Sequence, residues 1–291
     1  MHFRKELLQA IAELDLRPTR NIAALLSGNA KSASRGSGMQ FKEFRHYEEG
    51  DDIRHMSWKV TARTGKATLK IYEEDREIHV VIAVDVSGSS LFQSSQLSRR
   101  EMYTEVLALL GYASLRGGDN IGVLFFDSQP KLFLPPKRSK ANILKGLDHI
   151  SQVKMEGESS DLASSFKFLR GTLKHRSMVI VLSDFFLPPF ERELAALSRR
   201  HEVMLLHCYD DLEKGLGHSG VYESNDPERN IFYLLDTKSK QNRKLLAEYH
   251  RKVSDDLTSI CQRSRASYLP LSAEDDYLQR LVRHFRERVA A

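Results

Sequence analysis

The sequence predicts a doubly wound α/β domain with a mostly parallel sheet, and three observations lead to this fold class. Four runs rich in Val, Ile, Leu and Phe show no apolar–polar alternation, as expected of strands buried on both faces. Segments with helical spacing of apolar residues lie between these runs. Strands that alternate with helices are typical of a sheet covered by helices on both sides. The four runs are residues 79–85, 120–127, 177–184 and 201–210.

The segment after the first run shows the helical pattern most clearly. Met102, Val106 and Leu109 share one face at helical spacing, and the Gly117-Gly118 pair supplies a stop. The sequence predicts further helices near residues 139–150, 161–174, 190–200, 240–264 and 275–288.

The first 77 residues are predicted to form a separate attachment ahead of the α/β domain, which we place at residues 78–291. Residues 1–27 have the apolar spacing of one or two helices, and residues 28–38 have the Gly/Ser-rich composition of a flexible connection. The charge-dense stretch that follows ends in an alternating run, residues 67–72, which predicts a half-buried strand. We therefore expect N-terminal helices and a small, basic, β-rich segment before the main domain.

Composition favours a cytoplasmic protein without a membrane segment. The N-terminus lacks the apolar core of a signal peptide, and the longest apolar runs are only of strand length. Two cysteines in 291 residues favour a reducing compartment. The net charge is +5, with basic ends, 1–70 and 240–291, around a slightly acidic middle. Such ends attract acidic partners, including nucleic acid.

Aspartates end all four predicted strands, at the edge where open α/β sheets bind ligands. Asp127 and Asp210 are interpreted as residues that terminate a strand and cap the next element. Asp85 differs because Ser87 and Ser89 alternate with it in a short loop before a helix. One carboxylate and two hydroxyls that converge form a hard-oxygen ligand set, which suits Mg²⁺, Mn²⁺ or Ca²⁺.

The loop Asp85-Val86-Ser87-Gly88-Ser89 resembles the first motif of the metal-ion-dependent adhesion site of von Willebrand factor A domains, which have a Rossmann-type sheet. In that family a threonine before a later helix and an aspartate after the fourth strand complete the site. Ser160 and Asp184 stand at the matching positions, with serine replacing threonine. The resemblance implies a metal site and a partner protein whose Asp or Glu completes the coordination. The implied ligands are Asp85, Ser87, Ser89, Ser160 and Asp184.

The segment from Gly36 to Arg54, with Trp58-Lys59 and Ala62-Arg63 after it, is similar to the signature of domain of unknown function 58. Those bacterial proteins are typically encoded beside MoxR-type AAA+ ATPases. The resemblance implies an adaptor or client-recruiter that works with such an ATPase. Ser57 departs from the pattern, because the family usually has an acidic residue just before the tryptophan.

The basic residues of this segment have two interpretations. Arg45, Arg54, Lys59 and Arg63 lie among acidic residues, and a small subdomain held by its own salt bridges is the simpler interpretation. The alternative is a partner-binding face formed by these residues and Trp58. For Trp58 a place in the core is favoured over a contact, although interfaces also favour Trp and Arg.

Three functions compete at this point. The leading hypothesis is a non-enzymatic, metal-dependent protein-binding module. The alternative is nucleic-acid binding through the basic N-terminal segment and tail, with an affinity that falls steeply as salt increases. A Mg²⁺-dependent phosphohydrolase or nuclease ranks last, because such enzymes need a general base or a second metal and the sequence shows no dedicated base.

Overall fold

The computed structural model describes residues 39–48, 51–74, 78–88, 97–153, 160–185, 189–215, 220–226 and 231–290. The chain divides into two compact units, with a boundary between Glu77 and Ile78. The smaller unit is Asn29–Glu77, and the larger unit includes Ile78–Ala291. The helices predicted for residues 1–27 and the connection predicted for 28–38 lie outside the described residues.

The smaller unit is built on an antiparallel strand pair. β1 (Met39–His46) pairs with β2 (Thr68–Glu74), and a bulge interrupts the register between Phe41 and Glu43. A 3-10 turn (Ile53–His55) and helix α1 (Trp58–Thr64) connect the two strands. Gly65 ends α1 with φ 70°, a left-handed conformation that glycine adopts without a Cβ penalty. The strand predicted at residues 67–72 corresponds to β2, whereas the charge-dense β1 had no strand signal.

The larger unit contains a six-stranded sheet, a separate hairpin and six helices among its described residues. The sheet strands are β3 (His79–Asp85), β4 (Asn120–Phe126), β5 (Pro130–Lys137), β6 (Ser177–Ser183), β7 (Glu202–Tyr209) and β10 (Ser267–Ser272). The hairpin consists of β8 (Val221–Asp226) and β9 (Ile231–Asp236). The helices are α2 (Arg99–Arg116), α3 (Lys140–Gln152), α4 (Leu162–Thr172), α5 (Glu191–Ser198), α6 (Lys240–Ser264) and α7 (Tyr277–Ala290).

The strand order β10-β7-β6-β3-β4-β5 confirms the predicted doubly wound, mostly parallel α/β sheet. Neighbouring strands are parallel except for β5, which runs antiparallel to β4 at the edge. The sequence of β5, Pro-Lys-Leu-Phe-Leu-Pro-Pro-Lys, contains three prolines, which a sheet tolerates only where a strand edge needs no N–H donor. No helix in the described part of the chain combines the length and apolar character needed to cross a lipid bilayer.

Helices cover both faces of the sheet, which explains why its strands show no alternation. On β3, Ile82 and Val84 face the cluster formed with α2, α3 and α7. Val81 and Ala83 face the opposite cluster, formed with α4, α5 and α6. These side chains are fully buried, and each large aliphatic one stabilises the fold by about 1.5–3 kcal/mol.

The topology places the carboxyl ends of β3 and β6 side by side. The chain leaves β3 to build β4 on one side and later returns to build β6 on the other side. The last paired residues of these two strands are Val84 and Leu182, so the residues that follow them emerge at the same edge. Such a switch in direction opens a crevice, and open α/β sheets bind their ligands there.

Candidate metal centre at the carboxyl edge of the sheet

Asp85 is the last residue of β3 and its carboxylate is buried, with 1% of the residue exposed. Its Oδ1 accepts a hydrogen bond of 3.0 Å from the Ser87 N–H, and its Oδ2 accepts one of 2.7 Å from the Ser183 hydroxyl. Burial raises the pKa of Asp85 to about 6, and the charge of Asp184 adds to the increase. Hydrogen bonds from Ser87 and Ser183 oppose that increase.

Ser183 fixes the geometry between the two strands. As the last residue of β6, it donates its hydroxyl proton to Asp85 and accepts a 3.0 Å hydrogen bond from the Phe185 N–H. Phe185 has φ 54°, in the left-handed region that L-residues with large side chains rarely adopt. The chain therefore turns sharply straight after Asp184, and the buried Phe185 ring holds the turn in place.

Ser160 is buried, with 2% of the residue exposed, and its hydroxyl has no hydrogen-bond partner among the described residues. The next residue, Asp161, donates its N–H to the backbone oxygen of Asp127 at 2.8 Å and caps α4. This bond fixes the Ser160 loop at the carboxyl end of β4, the strand beside β3. A buried hydroxyl without a partner costs free energy, so its position at a ligand-binding edge is informative.

Asp184 is buried beside a charged residue that the sequence analysis did not single out. Its Oδ2 accepts a 3.0 Å hydrogen bond from Arg99 Nη1, and both side chains are at most 6% exposed. The other amino group of Arg99, Nη2, contacts Glu213 Oε1. Burial alone would lower the pKa of Arg99, but Glu213 and Asp184 more than offset it. Arg99 therefore stays charged and bridges two carboxylates.

The residues present fit a divalent cation in charge and in ligand type. Asp85, Asp184 and Glu213 carry three negative charges when ionised, against the one positive charge of Arg99. Asp85, Asp184 and the hydroxyls of Ser87 and Ser160 are hard oxygen donors. A divalent cation at this edge would neutralise the excess charge and give the Ser160 hydroxyl a partner. Ser89, the fifth predicted ligand, lies outside the described residues.

Three residues at this site lacked a signal that sequence reasoning uses. Ser183 precedes Asp184, but serine at a strand end is too common to indicate a hydrogen bond to Asp85. Arg99 is the first residue of α2, and only the fold places its guanidinium between β6 and the turn after β7. Glu213 lies in that turn, where its Oε1 also accepts the Asp210 N–H at 2.9 Å.

Asp127 and Asp210 have ordinary strand-end surroundings, as interpreted from the sequence. Asp127 accepts the Gln129 N–H at 3.2 Å and lies 2.9 Å from Lys131 Nζ. Asp210 accepts the Leu212 N–H at 2.9 Å. Both carboxylates therefore stabilise the turn that follows their strand.

In the smaller unit the predicted partner-binding residues fall into two groups. Arg45 lies 2.6 Å from Asp51 and 3.1 Å from Glu48, and Arg54 forms a bidentate pair with Asp52. These two arginines match the simpler interpretation, a subdomain held by its own salt bridges.

Trp58, Lys59 and Arg63 form the second group, and all three are exposed. The preference for Trp58 in the core is wrong, because 69% of it is exposed. Trp58 is the first residue of α1, a short helix in which no residue is buried. Lys59 and Arg63 are four positions apart on α1 and make no ion pair with the residues described.

Related sequences align with nearly the whole chain. The uncharacterized protein Rv1480 of Mycobacterium tuberculosis is 26% identical over 289 residues, which cover 97% of this chain and 90% of the relative. The uncharacterized protein Mb1516 of Mycobacterium bovis matches to the same extent.

Two solved structures match most of the chain with low sequence identity and with TM-scores below 0.5. The conserved hypothetical protein BatB from Bacteroides thetaiotaomicron is 12% identical with a TM-score of 0.47, and the match covers 74% of this chain and 100% of that one. The VWA domain of SpRpn10 is 11% identical with a TM-score of 0.42, and the match covers 71% of this chain and 94% of that one.

The family model described as "Protein of unknown function DUF58" matches residues 43–256. This match includes the charged segment before the sheet from residue 43 onward, the Asp85 loop and Asp184. It confirms the family that the sequence resembled, and the chain belongs to the DUF58 family.

Proposed function

We propose that this protein is a metal-dependent protein-binding module that works as an adaptor or client-recruiter with a MoxR-type AAA+ ATPase. In the proposal Asp85, Ser87, Ser89, Ser160 and Asp184 hold a Mg²⁺ ion, or Mn²⁺ or Ca²⁺ in its place. An Asp or Glu of the partner protein completes the coordination shell. The proposed role is binding without turnover of a substrate.

The observation that carries this proposal is the combination of surplus negative charge and a buried hydroxyl without a partner at one sheet edge. Asp85 ends β3, Asp184 directly follows the neighbouring strand β6, and both are buried. Ser160 adds a hydroxyl that lacks a hydrogen-bond partner among the described residues. Neutral hydroxyl ligands leave much of the metal's positive charge uncompensated, and that charge would attract a carboxylate from another protein.

The choice of an ATPase as the partner rests on the resemblance to the DUF58 family. The smaller unit has an exposed surface that could bind it. Trp58, Lys59 and Arg63 lie exposed on one short helix. Protein interfaces favour Trp and Arg, and a basic surface would attract an acidic one.

A binding experiment with the purified ATPase tests the proposal. We expect immobilised protein to capture a MoxR-type ATPase in Mg²⁺ and to lose it in EDTA. Asp85→Ala should abolish capture, whereas the matched control Asp127→Ala should retain it, because Asp127 belongs to an ordinary turn. Capture that is equal in Mg²⁺ and EDTA, or unaffected by Asp85→Ala, would disprove the metal-dependent role.

Nucleic-acid binding remains the second candidate because the exposed Trp58 lies next to a basic residue. Aromatic and basic side chains together can stack on bases and contact phosphates. This candidate predicts affinity for single-stranded DNA or RNA that falls steeply with salt and with Trp58→Ala. A flat response to salt would eliminate it.

A further inference from the structure

Arg99 is a buried cation fixed between two carboxylates at the candidate metal centre. It begins α2, where Ser98 and Glu101 form a reciprocal capping box that fixes the start of the helix. Its guanidinium donates to Asp184 Oδ2 at 3.0 Å and contacts Glu213 through its other amino group. Only 5% of the residue is exposed, so solvent screens its charge weakly.

We infer that Arg99, together with Glu213, sets the affinity of this site for its divalent cation. The inference rests on the proposed function, because it assigns Asp184 to the metal. In this inference Arg99 acts on the metal through Asp184, whose carboxylate it shares with the metal, and Glu213 controls how much of the Arg99 charge acts on that carboxylate.

The first step is competition for Asp184. A hydrogen bond from Arg99 uses one lone pair of Oδ2 and leaves less negative charge for a metal ion. A cation bound to the same carboxylate would also lie close to the buried positive charge of Arg99, and two positive charges repel each other strongly in a buried site. Both effects lower the affinity for a divalent cation while Arg99 is present.

The opposing effect is orientation, because a hydrogen-bonded neighbour often holds a metal ligand in place. Asp184 depends little on Arg99 for its orientation. It follows the paired end of β6 directly, between Ser183, whose hydroxyl is bonded on both sides, and the buried Phe185. Repulsion therefore outweighs the lost orientation, and removal of Arg99 should tighten metal binding.

Glu213 acts in the opposite direction because it draws the guanidinium charge away from Asp184. Its carboxylate is held in the turn after β7, where it accepts the Asp210 N–H at 2.9 Å. If Glu213 lost its negative charge, the positive charge of Arg99 would act on Asp184 alone and would repel a metal ion more strongly. Loss of Glu213 should therefore weaken metal binding.

The two substitutions thus have opposite predicted signs. Arg99→Gln should tighten Mn²⁺ binding, and Glu213→Gln should weaken it, each by about tenfold to a hundredfold, the usual range for residues that contact metal ligands. A purely structural role would weaken binding in both variants, because both break the same contact. Arg99→Lys keeps the charge and should stay within a few-fold of wild type.

The experiment is a Mn²⁺ titration of the full chain, followed by the electron paramagnetic resonance signal of free Mn²⁺. Thermal unfolding in EDTA and in saturating Mn²⁺ provides a second measurement. Arg99→Gln should unfold at a lower temperature than wild type in EDTA and gain more from Mn²⁺, because tighter binding stabilises more. Arg263→Gln is the control, since that arginine pairs with Glu191 in an exposed ion pair.

Opposite shifts for Arg99→Gln and Glu213→Gln, with Arg263→Gln unchanged, support the inference. Shifts of both variants in the same direction, while wild type binds one Mn²⁺, overturn this inference and leave the proposed function standing. Absence of Mn²⁺ binding from wild type and from all variants overturns both. If Arg99→Gln does not fold, Arg99→Met, which keeps much of the length of the side chain without its charge, takes its place beside Glu213→Gln and should also tighten Mn²⁺ binding.

Discussion

Asp85 ends β3 and Asp127 directly follows the neighbouring strand β4, yet the surroundings of the two carboxylates differ. Asp127 lies 2.9 Å from Lys131 Nζ and accepts the Gln129 N–H of its own turn. Asp85 finds two serines and the negative charge of Asp184. A buried strand-end carboxylate that has no basic partner among the described residues lowers stability, and a bound cation is the simplest way to compensate its charge.

Ser160 provides the sharpest prediction at the scale of one residue. Ser160→Ala should weaken Mn²⁺ binding by about tenfold or more, because the loss of a residue that only holds a metal ligand already costs that much. The same change should not lower the metal-free stability, because the hydroxyl has no hydrogen bond to lose within the described structure. Urea unfolding in EDTA and a Mn²⁺ titration measure the two effects.

Ser160→Thr is the matched variant, since it keeps the hydroxyl and adds a methyl group that restricts its rotamers. We expect Ser160→Thr to bind Mn²⁺ at least as tightly as wild type. A loss of metal-free stability by more than about 1 kcal/mol in Ser160→Ala would mean that the hydroxyl has a structural partner, which contradicts this account.

At the scale of elements, the start of α2 links local stability to the site. Ser98→Ala removes the capping box and should lower the free energy of unfolding by about 1 kcal/mol. Ser139 caps α3, away from the carboxylates, and Ser139→Ala should have a similar cost. Because Arg99 begins α2, only Ser98→Ala should also change the Mn²⁺ affinity. Equal Mn²⁺ affinities for the two variants would show that the start of α2 has no influence on the metal site.

His201, near the amino ends of β6 and β7, leads to a prediction about how the stability of the fold depends on pH. His201 is 3% exposed, its Nδ1 accepts the Ser177 N–H at 3.3 Å, and burial, with nearby arginines, lowers its pKa to about 4. The unfolded chain takes up this proton near pH 6.5 and the folded chain only near 4. His201 therefore contributes stability that is complete above pH 6.5 and is lost as pH falls from 6.5 to 4.

Urea unfolding of wild type and His201→Asn across this range measures the contribution. Wild type should lose up to about 1.4 kcal/mol per pH unit more than the variant between pH 6.5 and 4. Parallel curves for the two proteins would show that His201 protonates equally in both states.

The elements also show what sequence patterns can predict. The buried parallel strands and their helices were predictable because burial on both faces and helical spacing leave strong signals. β5 was not, because its prolines argue against a strand everywhere except at a sheet edge. The resemblance to von Willebrand factor A domains implied Asp85, Ser160 and Asp184 as metal ligands, and that assignment stays a prediction. Arg99 is brought to Asp184 only by the packing of α2, which no local pattern encodes.

At the scale of the whole molecule, the proposal assigns a different candidate binding surface to each of the two units. The larger unit offers a buried, negatively charged edge, and the smaller unit offers an exposed aromatic and basic helix. Such surfaces suit different partners or different parts of one partner. Each surface can be disabled separately, because each lies within its own unit.

The exposed helix of the smaller unit is tested by Trp58→Ala. The change should alter the free energy of unfolding by no more than about 0.5 kcal/mol, because the side chain is 69% exposed. It should weaken binding of a MoxR-type ATPase by about tenfold or more, as for an aromatic residue at an interface. Leu144→Ala, at a residue 49% exposed on α3, is the control and should leave binding unchanged. Unchanged binding by Trp58→Ala would remove this helix from the interface.

The central claim is that the edge formed by β3 and β6 holds one divalent cation. The most direct measurement is a Mn²⁺ titration followed by electron paramagnetic resonance, with wild type, Asp85→Ala and Asp127→Ala compared under the same conditions. This account predicts one saturable site in wild type and in Asp127→Ala, and its loss in Asp85→Ala. Mn²⁺ binding that persists unchanged in Asp85→Ala, or that is absent from wild type, would contradict it.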